Sequence, residues 1–356
     1  MGMRMRHIAT ILLSLIVGGV FIFSGFVKSV DPVGTSVFVE KYLATYSLEV
    51  LIPLSLLIAV VLGVVELLLG IMVVVGAYRS RAACGAMLFL AVFTIITLLS
   101  ATILPIGDCG CFGDAVKLSP WQTFIKNIVL LPLSFLLWRM SRSEGANERS
   151  MEITIVALLF AVGVNGVALR FLPLVDFMPY KVGVNLRDEV AAVDDAERCA
   201  VRSVLQFRDI STGEIVEFSA DDDSCWLDDN LEYVDAFTVH DDIAPMTFAD
   251  FRVYDTWGED VTLSLLERDG RVVWLCVNDA KALDGLCLRA AKEVVNDDVV
   301  VITSGDASSV EALLGVPCYA IDAMTLRSFI RAKVGVVVIT DGIITLKRDV
   351  RDYNRF

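Results

Sequence analysis

The chain has 356 residues, enough for about two domains, and 56% of them are hydrophobic. This fraction and a mean hydropathy of +0.66 exclude an ordinary soluble protein and indicate membrane spans. The formal net charge of −14 is unevenly divided, with a balance of +3 in residues 1–174 and of −17 in residues 175–356. So acidic a C-terminal half argues against binding to nucleic acid or to an anionic membrane surface.

Five apolar runs are long enough to cross a bilayer as helices, which takes roughly 17–25 residues. The first, third and fifth lack charged residues, whereas the second contains only Glu66 and the fourth only Lys126. The first run is long for a signal peptide and lacks a small-residue cleavage site, so we expect it to remain as an anchor. The predicted spans are Ile8–Val27, Val50–Ala77, Ala82–Ile106, Trp121–Trp138 and Ile153–Leu169.

The arginines of the short connections predict how these spans are oriented. They lie before the first span, between the second and third, and between the fourth and fifth, which all fall on one side of the membrane. Because basic loops stay in the cytoplasm, we expect a cytoplasmic N-terminus. The connection around residues 109–120 and everything after about residue 172 are then extracytoplasmic.

Glu66, near the middle of the second span, is a candidate functional residue because a carboxyl group inside a membrane is costly. An acidic side chain at such a position is typical of proton or quinone chemistry. Alternatively, it is a protonated carboxyl that hydrogen-bonds to Thr94, Thr97 or Ser100. We expect Lys126 of the fourth span to extend toward the membrane surface, where it could also place charge beneath the connection that precedes it.

Cys109 and Cys111 stand one residue apart in the connection between the third and fourth spans, with Asp108 before them and Asp114 after. A Cys-x-Cys disulfide is strained and readily reduced, which suits thiol exchange. Lys117 could lower a thiol pKa there, while the two acids oppose it. An inert disulfide and a soft-metal site remain alternatives. Zinc would need two further ligands, and the chain has only two histidines, His7 and His240.

The C-terminal part predicts an α/β fold in which a mixed sheet is covered by helices. Its final hairpin turns at Asp341-Gly342, the pair typical of a type I′ turn. The predicted strands are Val201–Phe207, Glu214–Phe218, Phe248–Tyr254, Arg271–Val277, Val299–Thr303, Cys318–Ile321, Gly335–Thr340 and Ile343–Lys347. The predicted helices are Thr262–Glu267, Lys281–Val295, Ser308–Leu314 and Met324–Ala332.

Five further cysteines lie on the extracytoplasmic side, where disulfides persist. The pairs Cys199–Cys225 and Cys287–Cys318 are plausible bridges, although spacing does not fix connectivity. Cys276 reads as a buried small hydrophobe, and Cys84 of the third span as a packing residue. The aspartates at 221–223 and 228–229 lack the calcium-loop pattern and predict a solvated loop.

Residues of the membrane half carry a family resemblance. They are Phe21-Ile-Phe-Ser-Gly-Phe-Val-Lys28, Val30-Asp-Pro32 with Gly34, Asp108-Cys-Gly-Cys-Phe-Gly-Asp114, and Trp121-Gln-Thr-Phe124 with Lys126-Asn127. This half resembles the DoxX/MauE group of redox-associated, mostly four-helix membrane proteins, particularly Bacteroidetes-type versions. The MauE branch is associated with maturation of methylamine dehydrogenase, whose small subunit is rich in disulfides. The resemblance implies a redox-accessory role in a bacterial inner membrane.

The last hundred residues resemble a degenerate thioredoxin-like domain. The resemblance implies two cysteines at the start of the helix after Arg271–Val277, but Asn278-Asp-Ala-Lys281 stands there. It also implies a proline before the penultimate strand, where this chain has Val334. Both departures remove the dithiol site, so we expect a domain that binds a partner and does not reduce it.

We therefore expect a membrane all-α bundle of four helices plus a fifth, tethering helix, followed by an extracytoplasmic α/β thioredoxin-like domain. The expected parts are a four-helix domain (1–140), a linker with the fifth helix (141–174), a β-rich segment (175–245) and the thioredoxin-like domain (246–356).

The expected function is redox-accessory, with possible thiol–disulfide oxidoreductase activity. Cys109 and Cys111 would exchange disulfides with a periplasmic client, a membrane quinone is a possible acceptor, and Glu66 would manage the proton. A non-catalytic assembly protein with an inert outer domain is the alternative.

Overall fold

The computed structural model describes residues 3–103, 109–142, 148–219, 227–228, 230–240, 248–295 and 299–353. For residues 3, 197–204, 219 and 237–240 it describes the backbone alone. The chain divides into two compact units. The first comprises Met1–Met178 with the short segment Arg327–Ala332, and the second Pro179–Leu326 with Lys333–Phe356.

The first unit is helical. Its helices are α1 (Met3–Val30), α2 (Pro32–Thr45), α3 (Ser55–Val75), α4 (Arg79–Thr102), α5 (Pro120–Ser141) and α6 (Ser150–Phe171). All but α2 are long and apolar enough to cross a membrane, when the 3₁₀ turn Glu49–Leu54 is counted with α3. The five predicted spans are thus confirmed as helices, with ends that differ by a few residues.

Polar caps and early prolines set the start of two helices. Asp31 accepts a hydrogen bond from the backbone of Gly34 at the start of α2, and Pro32 occupies the first turn. Ser119 and Gln122 form a reciprocal capping box at the start of α5, where Pro120 follows the cap. The second cap fixes where the Cys109–Ser119 connection ends.

Glycines let α1 and α3 approach each other closely. A Cβ atom at Gly25 would lie 2.3 Å from the backbone nitrogen of Leu67, and one at Gly70 would lie 2.6 Å from that of Ile22. Any larger side chain at these positions would push the two helices apart. The contact between α1 and α3 is therefore set by the sequence, and it fixes which polar side chains face each other across it.

The second unit is α/β. Its helices are α7 (Leu186–Ala200), α8 (Thr262–Leu266), α9 (Gly285–Val294), α10 (Ala307–Leu314), α11 (Ala323–Phe329, whose last residues belong to the first unit) and α12 (Val350–Tyr353). Its strands are β1 (Val201–Asp209), β2 (Ile215–Ser219), β3 (Leu231–His240), β4 (Val253–Tyr254), β5 (Arg271–Val277), β6 (Val299–Thr303), β7 (Cys318–Ile321), β8 (Val334–Thr340) and β9 (Ile343–Asp349).

These strands form two sheets. Strands β2, β1 and β3 make an antiparallel sheet, and six strands make a mixed sheet in the order β4-β7-β6-β5-β8-β9. Strands β5, β6 and β7 run parallel, whereas β4, β8 and β9 run antiparallel to their neighbours. The predicted mixed sheet and its final hairpin are confirmed, and Asp341 and Gly342 have the positive φ angles of 49° and 82° that a type I′ turn needs.

Several boundaries of the second unit differ from the prediction. Helix α7 and strand β3 were not predicted, β4 spans only two residues of the expected Phe248–Tyr254 strand, and α9 begins at Gly285 instead of Lys281. After β5 the chain bends at Asn278, and Asp279 caps a short 3₁₀ segment that begins at Ala280 and includes Lys281. The thioredoxin-like assignment of this sheet stays a prediction.

Candidate functional site

The two cysteines of the Cys109–Ser119 connection lie side by side. Their Sγ atoms are 2.6 Å apart, within hydrogen-bond distance, and both are free thiols. Cys109 is buried and Cys111 half-buried. The connection is anchored at its base, where the Cys109 nitrogen donates to the Leu118 carbonyl at 3.2 Å. The pair can therefore close and open a disulfide without a large rearrangement of the backbone.

Gly110 makes the tight turn between the cysteines possible. Its φ of +64° lies in the left-handed region that side chains avoid, and a Cβ atom there would stand 2.5 Å from the ring of Phe38. The Gly113 nitrogen then donates to the Gly110 carbonyl at 3.0 Å and closes the turn. The sequence Cys-Gly-Cys is thus required by the geometry of the loop as well as by its chemistry.

The two thiols have unequal acidities. The hydrogen bond with Cys111 lowers the pKa of the Cys109 thiol to about 7, and the nearby charge of Lys126 acts in the same direction against burial. The same hydrogen bond, together with burial, raises the pKa of the Cys111 thiol. Cys109 is therefore the residue that carries a thiolate near neutral pH, and the thiolate is the reactive form.

A buried ion pair lies between α1 and α3. Lys28 Nζ is 2.7 Å and 2.9 Å from the two carboxylate oxygens of Glu66, and the side chains are each 4% exposed. Ser24, one helical turn before Lys28, donates a hydrogen bond to Glu66 at 2.6 Å and accepts one from Lys28 at 2.8 Å. The carboxylate has a charged partner and a hydroxyl, as a buried acid requires.

The ion pair is connected to the dithiol loop through one backbone carbonyl. The Cys111 oxygen accepts a hydrogen bond from Lys28 Nζ at 2.7 Å, and Ser24 Oγ lies 2.8 Å from the same oxygen. Lys28 therefore fixes the position of the Cys111 backbone. A change in the position or charge of Glu66 is transmitted to the loop through Lys28 and Ser24, which both contact this oxygen.

The alternative interpretation of Glu66 named the wrong hydrogen-bond partners. Thr94, Thr97 and Ser100 donate to carbonyls of their own helix at Leu90, Phe93 and Ile96. Lys28 takes their place, the last residue of the Phe21–Lys28 motif, to which the sequence assigned no partner. The available signal was its spacing of four residues from Ser24, which puts both side chains on one face of α1.

Lys126 and Asn127 of α5 lie against the loop from the other side. Lys126 Nζ stands 4.4 Å from the centre of the Phe112 ring, a cation–π contact that keeps the charge next to the cysteines. The predicted charge beneath the loop is thus present. The buried amide nitrogen of Asn127 has no hydrogen-bond partner among the described residues.

A small cavity of about 30 Å3 lies between these groups. It is lined by Lys28, Glu66, Cys111, Lys126 and Asn127, among others. A volume of this size holds one or two water molecules. A water there would satisfy the Asn127 amide and connect the ion pair to solvent-exchangeable protons.

The acidic residue after the cysteines is neutralised by an arginine of the same unit. Arg331 lies 2.9 Å from the carboxylates of both Asp31 and Asp114, and its side chain is 6% exposed. Asp31 also caps α2 through Gly34 at 2.8 Å. Asp108 and Asp114 were predicted to oppose a thiolate at this loop. The charge of Asp114 is paired with Arg331, and Asp108 lies outside the described residues.

The other cysteines that the structure describes are free thiols. Cys276 is fully buried and Cys318 nearly so, and burial raises the pKa of both, to about 12 for Cys318. The bridge considered between Cys287 and Cys318 is not formed. Cys84 lies in α4. Cys225 and the side chains of Cys199 and His240 lie outside the described part of the chain, as do Asp221, Asp222, Asp223 and Asp229.

A metal ion bound by the two cysteines would find no cluster of further ligand side chains in the described ranges. No group of three or more histidine, cysteine, aspartate or glutamate side chains comes together there. What the loop does bring together is a thiol with a near-neutral pKa, a second thiol in contact with it and a fixed charge on each side. This arrangement is suited to thiol–disulfide exchange.

Comparison with known proteins gives a match for the N-terminal part of the chain. Residues 5–140 match the family model described as Methylamine utilisation protein MauE. No curated protein and no solved structure matches the chain. The matched range runs from α1 to α5 and includes Lys28, Glu66 and both cysteines of the loop. The membrane helices and the matched range make this a multi-pass membrane protein whose N-terminal part is similar to the MauE family.

Proposed function

We propose that this protein is a thiol–disulfide oxidoreductase of the bacterial inner membrane that supports the maturation of a periplasmic redox protein. The observation that carries the proposal is the contact between Cys109 and Cys111, 2.6 Å apart, with the pKa of Cys109 lowered to about 7. A thiol of this acidity is about half ionised at neutral pH, which suits both attack and departure in exchange reactions.

The exchange follows from the unequal thiols. A thiolate of the client attacks the Cys109 sulfur of the oxidised pair, the bond between the two cysteines breaks, and Cys111 leaves and takes up a proton. The second client thiol then attacks the client sulfur of the mixed disulfide, and Cys109 leaves as a thiolate. The client gains one disulfide, and the cysteine pair gains two electrons and becomes a dithiol. The low pKa of Cys109 favours its departure in the second step.

Glu66 acts in this scheme through Lys28. The Lys28 ammonium binds the Cys111 carbonyl at 2.7 Å and the Glu66 carboxylate at the same distance, so the pair orients the resolving cysteine. The small cavity beside it supplies a route for the proton that the cysteines exchange. Glu66 is thus a positioning and proton-handling residue, and the reacting atoms are the two sulfurs.

The matched family supports a choice of client. Its name refers to methylamine utilisation, and a disulfide-rich periplasmic protein of that process has the chemistry that the loop would serve. The orientation with a cytoplasmic N-terminus would place Cys109 and Cys111 on the periplasmic side. Labelling reduced spheroplasts with a membrane-impermeant maleimide would then modify Cys109, whereas labelling confined to inverted vesicles would contradict this orientation.

A trapping experiment tests the exchange reaction. With Cys111→Ser, no internal disulfide can form, but the Cys109 thiolate can still attack the disulfide of an oxidised client, the reverse of the second step, and displace one client thiolate. Because no Cys111 thiol remains to release Cys109 from this mixed disulfide, a reductant-sensitive adduct should accumulate on non-reducing gels of whole membranes. The Cys109→Ser/Cys111→Ser variant should show none, and Cys276→Ser, which alters a buried thiol of the second unit, should behave as wild type. Absence of the adduct, together with a pair that never changes redox state, would remove the proposal.

A non-catalytic assembly role is the second candidate. The observation in its favour is the Asn278-Asp-Ala-Lys281 turn, which has no thiol where the resemblance implies a dithiol. Complementation of a deletion strain separates the two functions. The double cysteine variant would restore maturation if the protein only assembles its client, and would fail if the dithiol reacts.

A further inference from the structure

A second, much larger cavity lies next to the dithiol within the first unit. Its volume is about 540 Å3, inside the range of roughly 300–1,000 Å3 that is typical of small-molecule sites. It extends between α2, α3 and α4, and it ends at Cys109, Gly110 and Cys111. Its size and its position beside the reacting sulfurs are those of a ligand site.

The walls of this cavity are mainly aromatic and aliphatic. Phe38, Tyr42 and Tyr46 contribute from α2, Leu62 from α3, and Phe93 and Ile96 from α4. The rings of Tyr42 and Tyr46 are almost parallel, with an interplanar angle of 10°. An apolar cavity lined by aromatic rings can hold a planar, lipid-soluble molecule by ring stacking.

Two polar groups mark the end of the cavity nearest the dithiol. The Tyr42 hydroxyl lies 3.4 Å from the Cys109 carbonyl oxygen, and Lys28 lines the cavity as well as holding Cys111. The Tyr42 hydroxyl can donate a hydrogen bond to an oxygen of the occupant, and Lys28, whose ammonium is paired with Glu66, keeps this end of the cavity polar. A phospholipid acyl chain would fill the slot but would use neither group.

We infer that this cavity binds a membrane quinone, which accepts the electrons of the Cys109–Cys111 dithiol. The inference rests on the proposed function, because a pair that oxidises clients must itself be reoxidised. The balance is complete: two S–H bonds break and one S–S bond forms, and the two electrons and two protons released convert the two quinone carbonyls to quinol hydroxyls. A quinone takes both electrons and both protons in one molecule and reaches the site from the lipid phase.

Binding is tested separately from turnover. The purified full-length protein in detergent would be titrated with decylubiquinone, and an azido derivative of the same ring would be photo-crosslinked and its site mapped by peptide mass spectrometry. We expect crosslinks on α2 and α4 beside the cavity. Ile96→Trp, which fills the slot, should weaken binding at least tenfold, and Tyr42→Phe, which keeps the packing, should weaken it several-fold.

The matched control is Val156→Trp, which adds the same side chain on the exposed face of α6 and should leave binding unchanged. Under anaerobic conditions, stoichiometric decylubiquinone should oxidise the reduced pair of the wild type, and alkylation mass shifts report this oxidation.

The outcomes distinguish the two proposals. If the cysteines exchange with thiol reagents but decylubiquinone neither crosslinks at the cavity nor oxidises them, the quinone site is wrong and the exchange function stands. Equal crosslinking in wild type and Ile96→Trp, or a tightly retained phospholipid that the quinone does not displace, would also overturn the site. If the quinone binds but the cysteines never change state, the exchange function fails instead.

Discussion

Lys28 and Glu66 form an ion pair inside the helical bundle, with 2.7 Å between the ammonium nitrogen and the nearer carboxylate oxygen. The pair is 38 residues apart in sequence, and it meets because glycines let α1 and α3 approach closely. Because Lys28 also donates to the Cys111 carbonyl, the ion pair connects the helical bundle to the reactive loop.

Removing one member of this pair should be more harmful than removing both. Glu66→Gln leaves a buried cation without its counter-charge and should cost about 3–5 kcal/mol of stability. The apolar double variant Lys28→Met/Glu66→Leu should recover much of that loss, because no unpaired charge remains. Unfolding in mixed micelles with rising SDS measures these differences. A double variant no more stable than either single variant would contradict the ion pair.

The reactivity of Cys109 should titrate near neutral pH. Because the folded protein lowers the pKa of this thiol to about 7, the rate of alkylation of the reduced protein should reach half its maximum near pH 7. Below that pH the thiolate fraction, and with it the rate, should fall about tenfold per unit. Cys111→Ala removes the main cause of the lowered pKa, so the midpoint should move to higher pH.

Lys126 should contribute to this titration by its charge. Lys126→Met should move the midpoint upward by about half a unit, since a nearby cation favours the thiolate. Lys117→Met changes an exposed lysine of the same connection and should have a smaller effect. If the two variants shift the midpoint equally, or neither shifts it, the contact between Lys126 and the loop is not electrostatically important.

The membrane half could largely be predicted from sequence, because length and hydropathy decide whether a segment crosses a bilayer. The dithiol loop was likewise evident from Cys109 and Cys111 alone. The partner of Glu66 was not, since three hydroxyl side chains of α4 were equally plausible and the choice depends on which helices touch. That information lies in the small residues of α1 and α3, such as Gly25 and Gly70, whose pairing sequence does not reveal.

The second unit shows the same limit in another form. Helix α7 carries Leu186, Val190 and Val193 at helical spacing, and all three are buried. The sequence therefore contained the apolar pattern of a helix, although the segment also has many acidic residues. The cavity beside the dithiol could not be predicted, because an empty volume depends on how α2 packs on its neighbours. Local patterns identify elements, whereas sites between elements require the packed structure.

The turn at Gly110 should be intolerant of a side chain. Gly110→Ala would place a methyl group against Phe38 in a backbone conformation that alanine avoids, so the two sulfurs should separate. We expect the rate of disulfide exchange with glutathione to fall at least tenfold. Gly163→Ala on α6, where no atom lies within 4 Å of the added Cβ, is the matched control and should exchange at the wild-type rate.

The redox equilibrium of Cys109 and Cys111 tests the central claim most directly. The full-length protein would be equilibrated anaerobically over a range of glutathione ratios, quenched in acid and alkylated, and the fraction of the disulfide counted by mass. We predict a single two-electron transition with a midpoint potential between roughly −120 and −270 mV, the range of exchange catalysts. A pair that stays reduced, or stays oxidised, at every ratio would contradict the account.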